Sequence, residues 1–398
     1  MVRPVSYEAG ADDVSGGRRA LAGAAALLLG TGAIWYAAGP AAGARMVRRP
    51  APRGPPDPWG GPLLPAPLIS RGRPVFTSPP VPAWSGKSLT DGVYRDGTWD
   101  GGFPTPARPA WAAIDLGRGP TRILVSWTSS HNHDWDERFY GAPADYRIET
   151  SADSTDGADG SWRVAVSVAH NPVRTRAHAV DFAGQRWVRM VVTRLPAKVN
   201  EWGLHLDQID VHDLSGGGDD VWVFLGDSIT AAVFDRAAPR NPSFAMDVAR
   251  RHPAYFPAMI EAGKGAMHTA EAVAFTDRVL ALNPDARVVA IGIGSNDWDP
   301  VAYERDLGAI LRKVRAAGKI AMVARIPWRS DSGPQDFQAR LNVVVDRLTR
   351  ELGLLPGPDL YAWTHAHPEH LVDHLHTDDA GSAAISRLWA EAADPLYE

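Results

Sequence analysis

Four short segments in the C-terminal half of the chain carry the side chains best suited to chemistry. Gly226-Asp227-Ser228-Ile229-Thr230 follows a run of apolar residues, Val221 to Leu225. A serine just after a strand and just before a helix exposes its hydroxyl at the sheet edge. There, backbone N–H groups and the helix N-terminus can face a developing oxyanion. Taken alone, such a serine is far more often an ordinary helix N-cap. Three later segments change that balance: Glu261-Ala262-Gly263, Gly294-Ser295-Asn296-Asp297 and Asp373-His374-Leu375-His376. The sequence holds no cysteine, which removes thiol nucleophiles, Cys-ligated zinc and disulfides together.

The surrounding pattern explains how these segments could meet. From Asp220 onward, short apolar runs alternate with amphipathic helical stretches. Val221–Leu225, Val288–Ile293 and Ile320–Ala324 read as buried strands. Tyr303, Leu307, Ile310, Leu311 and Val314 mark one helical face, stopped by Gly318. Phe337, Leu341, Val344, Val345, Leu348 and Leu352 mark another, with Pro334 near its start, and a last helix is expected from about Ala380. Alternating β and α implies a parallel sheet covered by helices on both faces. Loops at the carboxyl ends of its strands then gather the four segments.

With these blocks in order and each at a strand end, residues 219–398 resemble the SGNH (GDSL-like) hydrolase family. The resemblance implies a flavodoxin-like α/β/α sandwich and a serine esterase that needs no metal or organic cofactor. It implies Ser228 as nucleophile, His376 as the base that relays the proton to the leaving alcohol, and Asp373 as the carboxylate that orients His376. It further implies an oxyanion hole from the Ser228 N–H, the Gly263 N–H and the Asn296 amide, with Gly226, Asp227, Gly294 and Asp297 in support. One departure is visible. The second block usually reads Asn-x-Gly and here reads Glu261-Ala262-Gly263; a register shift of two would bring in Gly265 instead. The rival α/β-hydrolase elbow requires Gly-x-Ser-x-Gly, which surrounds no serine of this chain.

The N-terminal half reads differently. Residues 1–49 contain Arg18-Arg19 and then an uncharged stretch, residues 20–44, long enough to span a bilayer. Ala42-Gly43-Ala44 offers a cleavage site, and the twin arginines fit an export signal. A membrane anchor and a cleaved signal both fit, with a buried helix as a third reading. Arginines on both flanks, Arg18 and Arg19 before and Arg45, Arg48, Arg49 and Arg53 after, do not settle orientation; an extracytoplasmic body, secreted or held at the cell surface, is expected mainly because the domains that follow suit that setting. Residues 50–84, dense in proline, read as a semi-rigid linker. Residues 85–214 read as a β-sandwich. Val164, Val166 and Val168 alternate on one face, Tyr146–Thr150 and Arg186–Val192 are further strands, and Asp-Gly pairs supply turns. Leu89-Thr90-Asp91-Gly92, Trp111 to Gly117, Tyr146 to Ser151 and Arg186 to Arg189 resemble the discoidin-type, galactose-binding-like module, which implies a jelly roll.

The chain has 15 tryptophans, many of them between positions 84 and 222. Exposed tryptophan stacks on sugar rings. Trp99 and Trp135 lie in loop-like segments and are the ligand-binding candidates; Trp162 and Trp187 are assigned to the core. His131-Asn132-His133-Asp134-Trp135-Asp136 lacks the ligand spacing of a metallo-β-lactamase site and reads as a polar loop, with a calcium or sugar contact from Asp134 or Asp136 as the other reading. His365, His367, His370 and His374 read as surface or supporting groups. A net charge of −5 gives no basic excess to hold nucleic acid. The expected partner is an acylated carbohydrate or other small ester. Two alternatives stand beside this: a lipase or thioesterase of the same fold, and a non-enzymatic surface protein that binds carbohydrate.

Overall fold

The computed structural model describes residues 59–79, 88–94, 99–129, 141–197, 199, 203–235 and 243–398. In the N-terminal part the strands are β1 (Val75–Ser78), β2 (Trp99–Gly102), β3 (Ala110–Asp115), β4 (Arg122–Thr128), β5 (Asp145–Ser151), β6 (Arg163–Val168), β7 (Thr175–Asp181), β8 (Trp187–Arg194), β9 (Leu204–Leu206) and β10 (Gln208–Asp213). They form a five-stranded antiparallel sheet, β1-β3-β8-β5-β6, a three-stranded one, β10-β4-β7, and the pair β2-β9. One core joins the sheets. Ile114 on β3, Ile148 on β5 and Val192 on β8 meet Val125 and Trp127 on β4 and Val211 on β10. The alternation expected of Val164, Val166 and Val168 is graded: Val168 is buried, while Val164 is 52% exposed on edge strand β6. Trp187 is buried as expected. Trp162 lies half-buried just before β6, under the Arg189 guanidinium.

The C-terminal part runs β11 (Val221–Gly226), α1 (Ser228–Asp235), α2 (Phe244–Arg251), β12 (Ala258–Gly263), α3 (Thr269–Leu282), β13 (Val288–Gly292), α4 (Pro300–Ala316), β14 (Ile320–Arg325), α5 (Phe337–Glu351), β15 (Leu355–Asp359), α6 (Leu360–Ala366) and α7 (Asp379–Ala392). Its sheet has the order β12-β11-β13-β14-β15 and is parallel throughout. Helices cover both faces. Tyr303, Leu307, Ile310, Leu311 and Val314 are fully buried on α4, with Leu341 and Val345 of α5 in the same core. Phe244 of α2 and Ile385 and Trp389 of α7 pack on the opposite face. This is the α/β/α sandwich with a parallel sheet expected of the SGNH fold. Such strands are apolar on both faces, and β11 is buried at all six positions.

The proline-rich linker expectation needs correction over residues 59–79. Leu63 and Ala66 are fully buried there. The Leu63 N–H donates to the Leu396 carbonyl at 2.8 Å, and the Ile69 N–H to the Val211 carbonyl at 2.8 Å. The segment is a strap that engages both halves, and β1 belongs to the five-stranded sheet. Its prolines favour an extended backbone, while the leucines between them supply apolar anchors. The two halves also share a core: Leu124 and Ala177 from the three-stranded sheet lie in one apolar cluster with Ile260 and Val279. The segment 20–44 lies outside the described residues. Among the described residues, no helix is long and apolar enough to cross a membrane.

Candidate active site

Ser228 opens α1 directly at the carboxyl end of β11. Gly226 makes that turn feasible. A Cβ there would sit 2.2 Å from the Gly292 carbonyl oxygen and 2.1 Å from Thr230 Oγ1. Gly294 is required for two reasons: its φ is +133°, and a Cβ would meet Ile326 at 2.5 Å. Asp227 joins the two loops. Its fully buried carboxylate accepts the Ile229 N–H at 3.0 Å and the Ser295 N–H at 3.1 Å. Burial pushes its carboxyl up from the usual value, against these hydrogen bonds. Asp227 thus fixes Ser228 relative to Asn296.

Asp373 and His376 share one tight loop. Asp373 Oδ1 accepts the His376 N–H at 2.8 Å, while Oδ2 pairs with His376 Nδ1 at 2.7 Å. The Val372 N–H donates to the His376 carbonyl, and His374 takes a positive φ of 74° at the loop tip. His376 Nε2 lies 2.8 Å from Ser228 Oγ. A continuous hydrogen-bonded chain therefore links Ser228, His376 and Asp373. Ser228 is only 5% exposed, whereas the Asp373 side chain is 55% exposed. Desolvation raises the Asp373 carboxyl, but the His376 and Leu375 contacts outweigh it and hold its pKa below the ordinary value.

Asn296 is half-buried, and its Nδ2 donates to the Met267 carbonyl at 3.0 Å. That bond uses one of the two amide hydrogens and fixes the plane of the group. Asp297 accepts both the Thr269 N–H, at 3.1 Å, and the Thr269 hydroxyl, at 2.8 Å. It anchors the start of α3 to the loop after β13.

The Gly263 expectation requires correction. The Gly263 N–H, read from sequence as an oxyanion donor, donates to Glu261 Oε1 at 2.7 Å. Glu261 Oε2 in turn accepts from Arg174 Nε at 3.0 Å. Arg174 belongs to the loop before β7, so the N-terminal half reaches into this block. Both partners are largely buried, at 15% and 3% side-chain exposure. The carboxylate at position 261 thus occupies the glycine N–H and is itself neutralised by an arginine from the other half. Gly263 remains structurally necessary, since a Cβ there would stand 2.6 Å from the Ala231 nitrogen. The same turn continues with the Lys264 N–H on the Gly226 carbonyl at 2.9 Å, then Gly265, and Ala266 at φ +56°.

Of the two tryptophans expected to bind ligand, Trp99 is fully buried. It sits on β2 opposite Leu206, and its Nε1 donates to the Pro79 carbonyl at 3.0 Å. Its aromatic surface packs in the core, so it does not face a ligand. Trp135 and the His131–Asp136 segment lie outside the described residues. His367 and His370 flank Trp363, and His370 pairs with Asp378 at 3.0 Å. His374 Nδ1 meets Ser330 Oγ at 3.0 Å. A small, mainly apolar pocket lies alongside α1, lined by Phe224, Ile229, Val233, Ile385 and Trp389 among others; Ser228 and His376 are not in its lining. Sequence reasoning missed Arg174 and Trp298. Trp298 stands directly after the Asn296-Asp297 pair and is 49% exposed.

Residues 224–384 match the GDSL-like Lipase/Acylhydrolase family. This stretch is an acylhydrolase domain of that family, and the protein carries a carboxylic ester hydrolase in it. Solved structures similar to the chain include TesA, at 18% identity and a TM-score of 0.39, covering 44% of this chain and 99% of that one. A lipase/acylhydrolase from Enterococcus faecalis has 22% identity and a TM-score of 0.36, covering 44% and 94%. An acetyl xylan esterase variant from Geobacillus stearothermophilus has 18% identity and a TM-score of 0.37, covering 45% and 95%. No curated protein sequence matches the chain.

Proposed function

We propose that this protein is a serine esterase that removes an O-acyl group, acetyl foremost, from a carbohydrate, with Ser228, His376 and Asp373 as its catalytic triad. The observation that carries the reading is the unbroken chain from Ser228 Oγ through both His376 nitrogens to Asp373. Ser228 Oγ attacks the acyl carbon as His376 Nε2 takes its proton. The tetrahedral oxyanion is held by the Ser228 N–H and by the second Nδ2 hydrogen of Asn296. His376 then gives its proton to the alcohol oxygen as the ester C–O bond breaks. Water attacks the acyl-enzyme, passes a proton through His376 back to Ser228 Oγ, and releases the carboxylic acid. Asp373 stays ionised and stabilises the imidazolium.

The carbohydrate half of the reading rests on the N-terminal half, which we read as a galactose-binding-like jelly roll built from the two antiparallel sheets. We also read residues 20–44 as the element that takes the protein out of the cytoplasm, by cleavage or by anchoring. A panel of esters with varied acyl length, on simple alcohols and on glycans, tests the function with wild type and Ser228→Ala side by side. Fastest turnover of short acyl groups on glycans, abolished in Ser228→Ala, is the expected result. Preference for long-chain esters would replace the carbohydrate reading with a lipase.

A further inference from the structure

The rim beside Asn296 holds an aromatic surface that the triad does not use. Trp298 follows Asn296 by two residues and is 49% exposed, although it is among the largest apolar side chains. It is held rather than loose. Phe337 meets it edge-on, with ring centroids 5.4 Å apart and planes at 86°. The Arg329 guanidinium stands 5.4 Å from its ring. Arg329 is fixed by two bonds to Asp331, each 2.9 Å.

This rim connects to the acid–base side of the site. The Ser330 N–H donates to the His374 carbonyl at 3.0 Å, and Ser330 Oγ meets His374 Nδ1 at 3.0 Å. The Arg329–Ser330 turn is therefore tied to the loop that carries Asp373 and His376. His376 delivers its proton to the departing alcohol, so the alcohol half of an ester must lie on this side of Ser228. An anchored indole beside a guanidinium suits a ring with one apolar face and a hydroxylated rim.

We propose that Trp298, backed by Phe337 and Arg329, is the platform on which the sugar ring of an O-acylated carbohydrate stacks while its ester is cleaved at Ser228. The proposal rests on the esterase reading above and names the leaving group of that reaction. Two substrates with the same acyl group separate the two claims: an O-acetylated xylo-oligosaccharide and ethyl acetate. In Trp298→Ala the preference for the sugar ester over ethyl acetate, as a ratio of kcat/KM, falls about tenfold, the scale of one aromatic contact. The loss falls mainly on KM, and Trp298→Phe recovers most of it. An unchanged ratio in Trp298→Ala overturns the platform, as does wild-type protein that cleaves ethyl acetate and no acetylated sugar. Turnover of ethyl acetate that survives Ser228→Ala overturns the triad instead, so the two failures are distinct.

Discussion

The two sides of Ser228 are built on different plans. On the acid–base side, Asp373 and His376 lie three residues apart in one loop that closes on itself through Val372 and His376. The bonds that join the two residues lie within that loop. On the opposite side, the turn after β12 is tied through Glu261 to Arg174, 87 residues away in the N-terminal half. The first plan is local in sequence. The second makes the geometry beside Ser228 depend on how the two halves fit together. The shared apolar cluster and the Trp59–Pro79 strap join the two halves.

The comparison can be broken from either side. The largest effect is expected on the acid–base side. His376→Ala should lower kcat on a small acetate ester by about 10⁵ or more, and Asp373→Asn by about 10⁴, measured by steady-state hydrolysis. A loss of less than tenfold in either would remove that residue from the triad. Asn296→Ala should cost about 10²–10³ in kcat with little change in KM, the signature of a donor used in the transition state.

Next comes the cross-domain link. Arg174→Ala leaves the buried Glu261 carboxylate unpaired, so about a tenfold loss of kcat/KM is expected along with a lower Tm. Arg174→Ala combined with Glu261→Gln should restore part of both, because the neutral amide needs no arginine and still accepts the Gly263 N–H. A double variant as impaired as the sum of the singles would show that the two residues act independently.

The smallest effect concerns pH. Asp373 has a lowered folded-state pKa, so its contribution to stability is complete above the unfolded carboxylate value and fades as pH falls through the folded value. The Tm difference between wild type and Asp373→Asn should therefore hold at pH 6 and shrink below about pH 4. A difference independent of pH would place the stabilisation elsewhere than in the carboxylate charge.

What the sequence disclosed follows the same division. The grouping of Ser228, Asp373 and His376 was legible because each sits in a short local pattern, Ser228 directly after β11 and the Asp373–His376 pair in the loop before α7, and local spacing brings Asp373 onto His376. The α4 and α5 faces were legible for the same reason, since a 3.6-residue period marks burial directly. Gly263 was misread because the fate of its N–H is decided by the Glu261 side chain, and Glu261 is fixed by a distant arginine. Trp99 was misread because a loop-like stretch becomes strand β2 only by pairing with Leu204–Leu206, about a hundred positions on. The strap at 59–79 was obscured by its prolines. Its leucines were the available signal. For Trp298, the signal was its place directly after Asn296-Asp297.

The most direct test of the account is labelling with diethyl p-nitrophenyl phosphate, read by intact mass and peptide mapping. A single diethylphosphoryl group on Ser228 is predicted, forming in step with loss of esterase activity, absent in Ser228→Ala and strongly slowed in His376→Ala. Full ester turnover by protein labelled on Ser228, or inactivation that tracks with labelling at another residue, would contradict it.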